Sequence, residues 1–201
     1  MLDARLRPLI DPPLNAAGRA LAGLGFTANG LTFTGLAFGL AAAAAIAMGH
    51  IGWGLVLILA NRVCDGLDGA VARVRGPSDL GGYFDIVADF AFYVSIPTAF
   101  GILAPANTLP ALVLVASFVL TGVSFLAFAV IAAKRGAETE AHGRKSFFYS
   151  TGLAEGTETI AVFIAMCLAP AWFAGLAYGY AGLCVLTVVQ RSAMAMRAFR
   201  D

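Results

Sequence analysis

The lysines and arginines of this chain sit beside every second gap between its long apolar runs, and no other feature constrains the fold as strongly. Apolar runs occupy residues 31–48, 51–73, 82–103, 110–133, 147–168 and 172–189. Each is close to the roughly 20 residues that an α-helix needs to cross a bilayer. With six crossings both termini share one side. Arg5, Arg7, Arg19, Arg73, Arg75, Lys134, Arg135, Arg144, Lys145, Arg191, Arg197 and Arg200 fall on that side, and Arg62 lies inside the second run toward the same end. The gaps near residues 50, 106 and 170 contain no Lys or Arg. Basic loops stay cytoplasmic, so the pattern predicts cytoplasmic termini in a bacterial-type inner (plasma) membrane. Composition agrees: 12% of residues are charged and 60% hydrophobic, against roughly 25% charged in a soluble domain. The expected fold is all-α and integral to the membrane, with six transmembrane helices. The net charge of +1 points to no polyanionic partner, and no nucleic acid is expected.

Residues 1–25 read as a separate N-terminal interfacial segment, ahead of a membrane domain over 26–201. Arginines alternate there with leucines, and Pro12 and Pro13 interrupt the first stretch. A small amphipathic helix over 14–24 is expected to lie in the interface with its arginines toward head groups. There is no apolar core of the kind a cleavable signal peptide carries. Asn29 stands where the first crossing would be capped. Gly35 and Gly39 give that crossing a small-xxx-small face for close helix packing. Gly175 and Gly179 do the same for the last, within the bundle or between subunits. Pro97 is expected to kink the third crossing. Cys64, Cys167 and Cys184 fit no metal spacing and read as buried apolar fillers.

The chemistry lies in residues 65–89. Asp65 and Asp68 are three apart, and Asp85 and Asp89 are four apart. On helices each spacing puts both carboxylates on one face. The turn Arg75-Gly76-Pro77-Ser78-Asp79 joins the pairs, so two antiparallel helices would aim four carboxylates at one point. Asp79 reads as a helix cap. Carboxylates at a membrane edge are costly, and one Arg73 supplies too little charge to offset four. Hard oxygen ligands without His or Cys suit Mg2+ or Mn2+. Two such ions would bind a pyrophosphate and stabilise charge during displacement at phosphorus. Gly69, Ala70 and Ala72 keep one helix face small for an approaching ligand. Gly81 and Gly82 would leave free N–H groups for an anion at the next helix start.

These residues resemble the signature of the CDP-alcohol phosphotransferases, D-x2-D-G-x2-A-R followed by G-x3-D-x3-D. Here it reads Asp65, Asp68, Gly69, Ala72, Arg73, then Gly81, Asp85, Asp89. Seven residues separate Arg73 from Gly81, where the family usually has about eight. The resemblance implies a transferase that takes a CDP-linked lipid donor, CDP-diacylglycerol in the smaller members, and a hydroxyl acceptor, releasing CMP in phospholipid biosynthesis. It implies Asp65, Asp68 and Asp85 as metal ligands with Asp89 contributing, Asp89 also as base, and Asp85 beside it in the catalytic pair. Gly69, Ala72, Arg73 and Gly81 would meet the CDP moiety, and a homodimer is expected.

For the acceptor, Lys134, Arg135 and Arg191 are candidates to meet a phosphate, if they are more than positive-inside anchors. Glu155 and Glu158 are expected within the fifth crossing. They could bind a polyol or an amine there, or pair with Arg62 or Arg191. Tyr83, Phe84, Phe148 and Tyr149 offer aromatic faces to a cation or serve as interfacial anchors. Two other readings stand beside the transferase. A cation transporter would need acidic residues through the membrane depth and paired halves; a catalytically silent membrane scaffold would keep the motif without turnover.

Overall fold

The computed structural model describes residues 3–135 and 152–199. Among them every regular element is a helix: α1 Asp3–Gly23, α2 Ala28–Ala47, α3 Ile51–Arg75, α4 Asp79–Leu103, α5 Thr108–Lys134, α6 Gly156–Leu168 and α7 Phe173–Ala198. Single 3-10 turns, each opened by a proline, precede α5 at Pro105–Asn107 and α7 at Pro170–Trp172. The polar loop expected over 134–145 begins with Lys134 still in α5; its residues 136–145, with Glu138, Glu140, His142, Arg144 and Lys145, lie outside the described residues. So do Phe148, Tyr149, Arg200 and the start of the fifth run.

The chain sets each boundary locally. Thr27, rather than Asn29, caps α2, its hydroxyl accepting from Gly30 N at 3.1 Å. Ser78, rather than Asp79, caps α4 by accepting from Gly81 N at 3.1 Å. Asp79 falls in the first turn, where its charge complements the helix dipole. Gly76 has φ +95°, a conformation other residues adopt at a cost, and it lets the chain turn from α3 into α4. Prolines 12 and 13 do not break α1, which runs from Asp3. Both are exposed there.

Four stretches are long and apolar enough to cross a membrane: Ala28–Ala47, Asp79–Leu103, Pro105–Lys134 and Pro170–Ala198. α3 is as long as α4 but carries Arg62, Asp65, Asp68, Arg73 and Arg75. α6 has 13 residues, about 20 Å of helix, against a hydrocarbon core of about 30 Å.

Lipid tails are as apolar as leucine, so packing rather than hydrophobic transfer holds such helices together. The glycine face of α2 does what its spacing predicts. A Cβ on Gly35 would lie 3.1 Å from Cys64 Cβ, and one on Gly39 only 2.7 Å from the Phe92 ring. Backbone therefore meets side chain directly where α2 crosses α3 and α4. Beyond that contact, Phe92, Tyr93, Phe118, Phe163 and Tyr180 pack ring against ring between α4, α5, α6 and α7. A Cβ on Gly175 or Gly179 would meet nothing within 4 Å among the described residues, so no described helix packs on that face. All three cysteines are buried and free, as apolar fillers should be. α4 continues through Pro97, which is buried.

The fifth run departs most from expectation. Residues 152–155 are not helical, and Glu155 sits just ahead of α6 in extended backbone. Thr187 on α7 explains the break. Its hydroxyl accepts from Leu153 N at 3.1 Å and Ala154 N at 2.9 Å, supplying partners a helix would otherwise provide. Glu155 Oε1 accepts from Gly152 N at 3.0 Å. Glu155 is therefore part of a tight turn, and Glu158 stands in the first turn of α6 rather than deep in a crossing.

Candidate functional site

Asp65 and Asp68 come from the last turns of α3, and Asp85 and Asp89 from the first turns of α4. The 76–78 turn brings them together, and all four line one pocket with Thr32, Gly35, Leu36, Asn61, Arg62 and Ala88. Its free volume is about 10 Å³, roughly the room for one water molecule. What fits between the carboxylates is a compact cation or a phosphate oxygen, not a sugar ring.

Each wall is anchored by a neighbour far away in the chain. Asp68 is 6% exposed and accepts from the Thr32 hydroxyl of α2 at 2.7 Å, a bond strengthened by the charge. Asn61 donates from Nδ2 to Gly35 O at 2.7 Å, and its Oδ1 accepts from Arg62 Nε at 2.7 Å. Arg62 then reaches both carboxylate pairs. Nη1 is 3.5 Å from Asp65, and Nη2 donates to Asp89 Oδ1 at 3.1 Å. The guanidinium carbon lies 4.6 Å from the Phe92 ring centroid. Tyr93 completes the set, its hydroxyl donating to Asp89 Oδ2 at 3.4 Å.

Arg62 is thus the cation that sequence reasoning missed. It had entered only as a topology marker and as a partner for Glu155 or Glu158. The signal was present: Arg62 precedes Asp65 by one helical turn, as Tyr93 follows Asp89 by one. Arg73, whose single charge is too little to offset four carboxylates, does not line the pocket. Its Nε and Nη2 donate to Asn15 Oδ1 of α1 at 3.0 and 2.9 Å. α1 is docked on α3 around that contact, with Gly18 tight against Ala70 and Leu14 against Gly66.

The other expected residues divide clearly. Gly69 lies beside Arg73, which would be 3.5 Å from a Cβ there, and Ala72 is half-buried on the same helix. Gly81 approaches Asn29, which would lie 3.2 Å from its Cβ. The free N–H groups expected at Gly81 and Gly82 are taken: Ser78 Oγ accepts from Gly81, and Ser78 O accepts from Gly82. A serine at the cap position competes with any anion for those donors.

None of the acceptor candidates lines the aspartate pocket. Lys134 is exposed. Arg135 donates to Phe199 O at 3.0 Å. Arg191 is buried and donates to Thr121 O at 2.9 Å and Ser124 Oγ at 2.7 Å, tying α7 to α5. It borders a separate cavity of about 160 Å³ with Phe128, Ser192 and Phe199. Glu155 comes nearer. A Cβ on the next residue, Gly156, would lie 3.5 Å from the Tyr93 hydroxyl, which touches Asp89.

Among the described residues no three acidic, imidazole or thiol side chains close into a metal-holding arrangement. The donors are nevertheless those of a hard divalent cation, carboxylates with one hydroxyl and no soft ligand. Among the described residues Asp68 and Asp85 have no ion-pair partner, and all four carboxylates line one small pocket, so the residues present fit such an ion.

Asn15 yields a specific expectation. Asn15→Ala should release the Arg73 guanidinium from its fixed place beside Gly69 and raise KM for a pyrophosphate-bearing substrate about three- to tenfold, since that side chain must then be ordered on binding, with kcat within about twofold. Steady-state kinetics would check this; an unchanged KM would mean the Arg73 orientation does not matter to binding.

Comparison with known proteins follows the same lines. A family model described as CDP-alcohol phosphatidyltransferase matches residues 26–194. The inner membrane protein YnjF of Escherichia coli is 46% identical over 192 residues, covering 95% of this chain and 93% of that protein. An archaetidylinositol phosphate synthase of Pyrococcus horikoshii is 33% identical over 87 residues, 43% of this chain and 46% of its own length. The fold is that of the Mycobacterium tuberculosis phosphatidylinositol phosphate synthase crystallised with CDP-DAG bound. The TM-score is 0.65 at 20% identity, covering 91% of this chain and 93% of that one. A second structure of that protein, with manganese and citrate, aligns with TM-score 0.66 at 20% identity over 90% of this chain and 87% of that one.

Proposed function

The chain belongs to the CDP-alcohol phosphatidyltransferase family, and on that premise we propose that it moves a phosphatidyl group from CDP-diacylglycerol to a small hydroxyl acceptor, with release of CMP. It is a membrane transferase of phospholipid biosynthesis by family, so the transporter and silent-scaffold readings give way. The observation that most supports the finer reading is the single pocket shared by all four aspartates, with Asp89 oriented by Arg62 and Tyr93. The Mycobacterium relative with CDP-DAG bound supports the donor.

The chemistry can be followed on this chain's residues. Asp65, Asp68, Asp85 and Asp89 would hold two divalent ions, Mg2+ or Mn2+. Bound ions neutralise the pyrophosphate and make CMP a better leaving group. Gly69 and Ala72 leave room for the donor's nucleotide along α3, with Gly81 across the turn, and Arg73 meets its phosphate. Asp89 takes the proton of the acceptor hydroxyl, a poor nucleophile at neutral pH. The acceptor oxygen bonds to the phosphatidyl phosphorus, and the bond from that phosphorus to the CMP oxygen breaks. The proton ends on Asp89. Asp85 shares the pocket as the second catalytic carboxylate.

We read the remaining architecture accordingly: residues 1–25 as an interfacial segment, 26–201 as a six-crossing catalytic domain with site and termini cytoplasmic, and the chain as a homodimer. Gly175 and Gly179, open to approach among the described residues, suit a subunit contact. The acceptor enters beside Tyr93 and the 152–155 turn.

The test is product analysis. Purified protein in lipid, given CDP-diacylglycerol, Mg2+ and a pool of hydroxyl acceptors, should release CMP and form one new phospholipid, read by mass spectrometry. CMP with no new lipid would overturn the transfer step. No CMP, with CDP shown to bind, would overturn the donor.

A further inference from the structure

Arg62 is held from three directions that have no need of a ligand. Asn61 fixes Nε and is itself tied to the α2 backbone through Gly35 O. Phe92 lies under the guanidinium at 4.6 Å, and that ring packs on Gly39. The charged face then meets Asp65 and Asp89. The side chain is 16% exposed. A surface arginine would swing free of its partners, whereas this one is stationed by α2, α3 and α4 together. Among the described residues no Lys or Arg lies within ion-pair distance of Asp68 or Asp85, while Asp65 and Asp89 share Arg62.

We propose that Arg62 is a built-in counter-cation of the aspartate site, a positioning residue that fixes Asp89 and competes with divalent ions for Asp65 and Asp89. The inference rests on the metal-site reading above. Two cations cannot draw on the same carboxylates without repelling each other, so what Arg62 contributes to the empty site it takes from metal affinity. The unloaded protein then keeps its four carboxylates in place without a metal. Ions bind well only when the donor's pyrophosphate adds negative charge to outweigh Arg62. The arginine thereby couples metal occupancy to donor occupancy.

The experiment is Mn2+ binding, followed by the electron paramagnetic resonance of free Mn2+, on wild type, Arg62→Gln and Arg62→Lys in lipid without donor. Thermal midpoints are measured in parallel with EDTA and with Mn2+. Arg62→Gln should bind Mn2+ at least about tenfold more tightly than wild type, with Arg62→Lys between them. The EDTA midpoint should fall in Arg62→Gln and return with Mn2+, while wild type should be indifferent. Turnover of Arg62→Gln should fall about tenfold or more despite the tighter metal, a combination that simple damage to the fold would not produce. Should Arg62→Gln fail to fold, Asn61→Ala, which releases Nε while keeping the charge, should still raise Mn2+ affinity about two- to fivefold. Equal or weaker Mn2+ binding in the variants, with wild type binding normally, would overturn the role of Arg62 and leave the metal site standing. Absence of Mn2+ binding in every protein, with CDP-diacylglycerol added as well, would overturn the metal reading and this inference with it.

Discussion

Asp89→Asn is expected to lower turnover by about 10²- to 10⁴-fold, the usual worth of a positioned general base, while the protein stays folded. The amide keeps the shape and an acceptor oxygen for Arg62 Nη2, which donates to Asp89 Oδ1 at 3.1 Å. It cannot take a proton from an acceptor hydroxyl. The lost ion pair should cost little, since Arg62 keeps the Asp65 carboxylate at 3.5 Å and is not left as an uncompensated charge. Removing one of four crowded negative charges offsets part of that cost. CMP release from CDP-diacylglycerol and the thermal midpoint are the two measurements. Turnover within threefold of wild type would remove Asp89 from the role of base, and a collapsed midpoint would make it a structural residue instead.

Gly39→Leu should be the most damaging single change to the fold. A Cβ there would already stand 2.7 Å from Phe92 Cδ2 and 3.2 Å from Asn61 Nδ2. Phe92 cannot retreat, because it is fully buried with Arg62 over one face and Phe163 at its edge. α2 must instead move away from α3 and α4. That stretches the Thr32 to Asp68 and Asn61 to Gly35 bonds, which anchor the site. Overpacking of this kind costs about 1–3 kcal/mol and occasionally more, and two strained buried bonds place the variant at the upper end. Gly52→Leu is the control, since its Cβ would meet nothing within 4 Å among the described residues; a change of under about 0.5 kcal/mol is expected. Midpoints in the same lipid would decide. Equal losses in both variants would mean that α2 does not depend on the glycine contact.

Glu155 shows where sequence reading failed. Its run is apolar enough to be taken as one crossing from 147 to 168. The hydroxyl of Thr187, more than thirty residues later, satisfies two N–H groups of the preceding turn and makes the non-helical segment affordable. Local propensity holds no record of such a partner. Arg62 differs: its one-turn spacing from Asp65 was visible, but a charged residue near a helix end also reads as a topology marker. Only its contacts with Asn61, Phe92 and Asp89 separate the two.

The sequence by itself determined the membrane class, the packing face of α2 and the pairing of aspartates on successive helices. These depend on period, spacing and charge along the chain, all local quantities. The tertiary structure alone decided which groups steady those aspartates. Thr32 reaches Asp68 across 36 residues and Asn61 reaches Gly35 across 26, because α2 can approach α3 closely only where glycine removes the side chain. It also decided that Arg62 serves the site and Arg73 leans on α1, since a flexible arginine takes its direction from whatever acceptor the folded neighbours present.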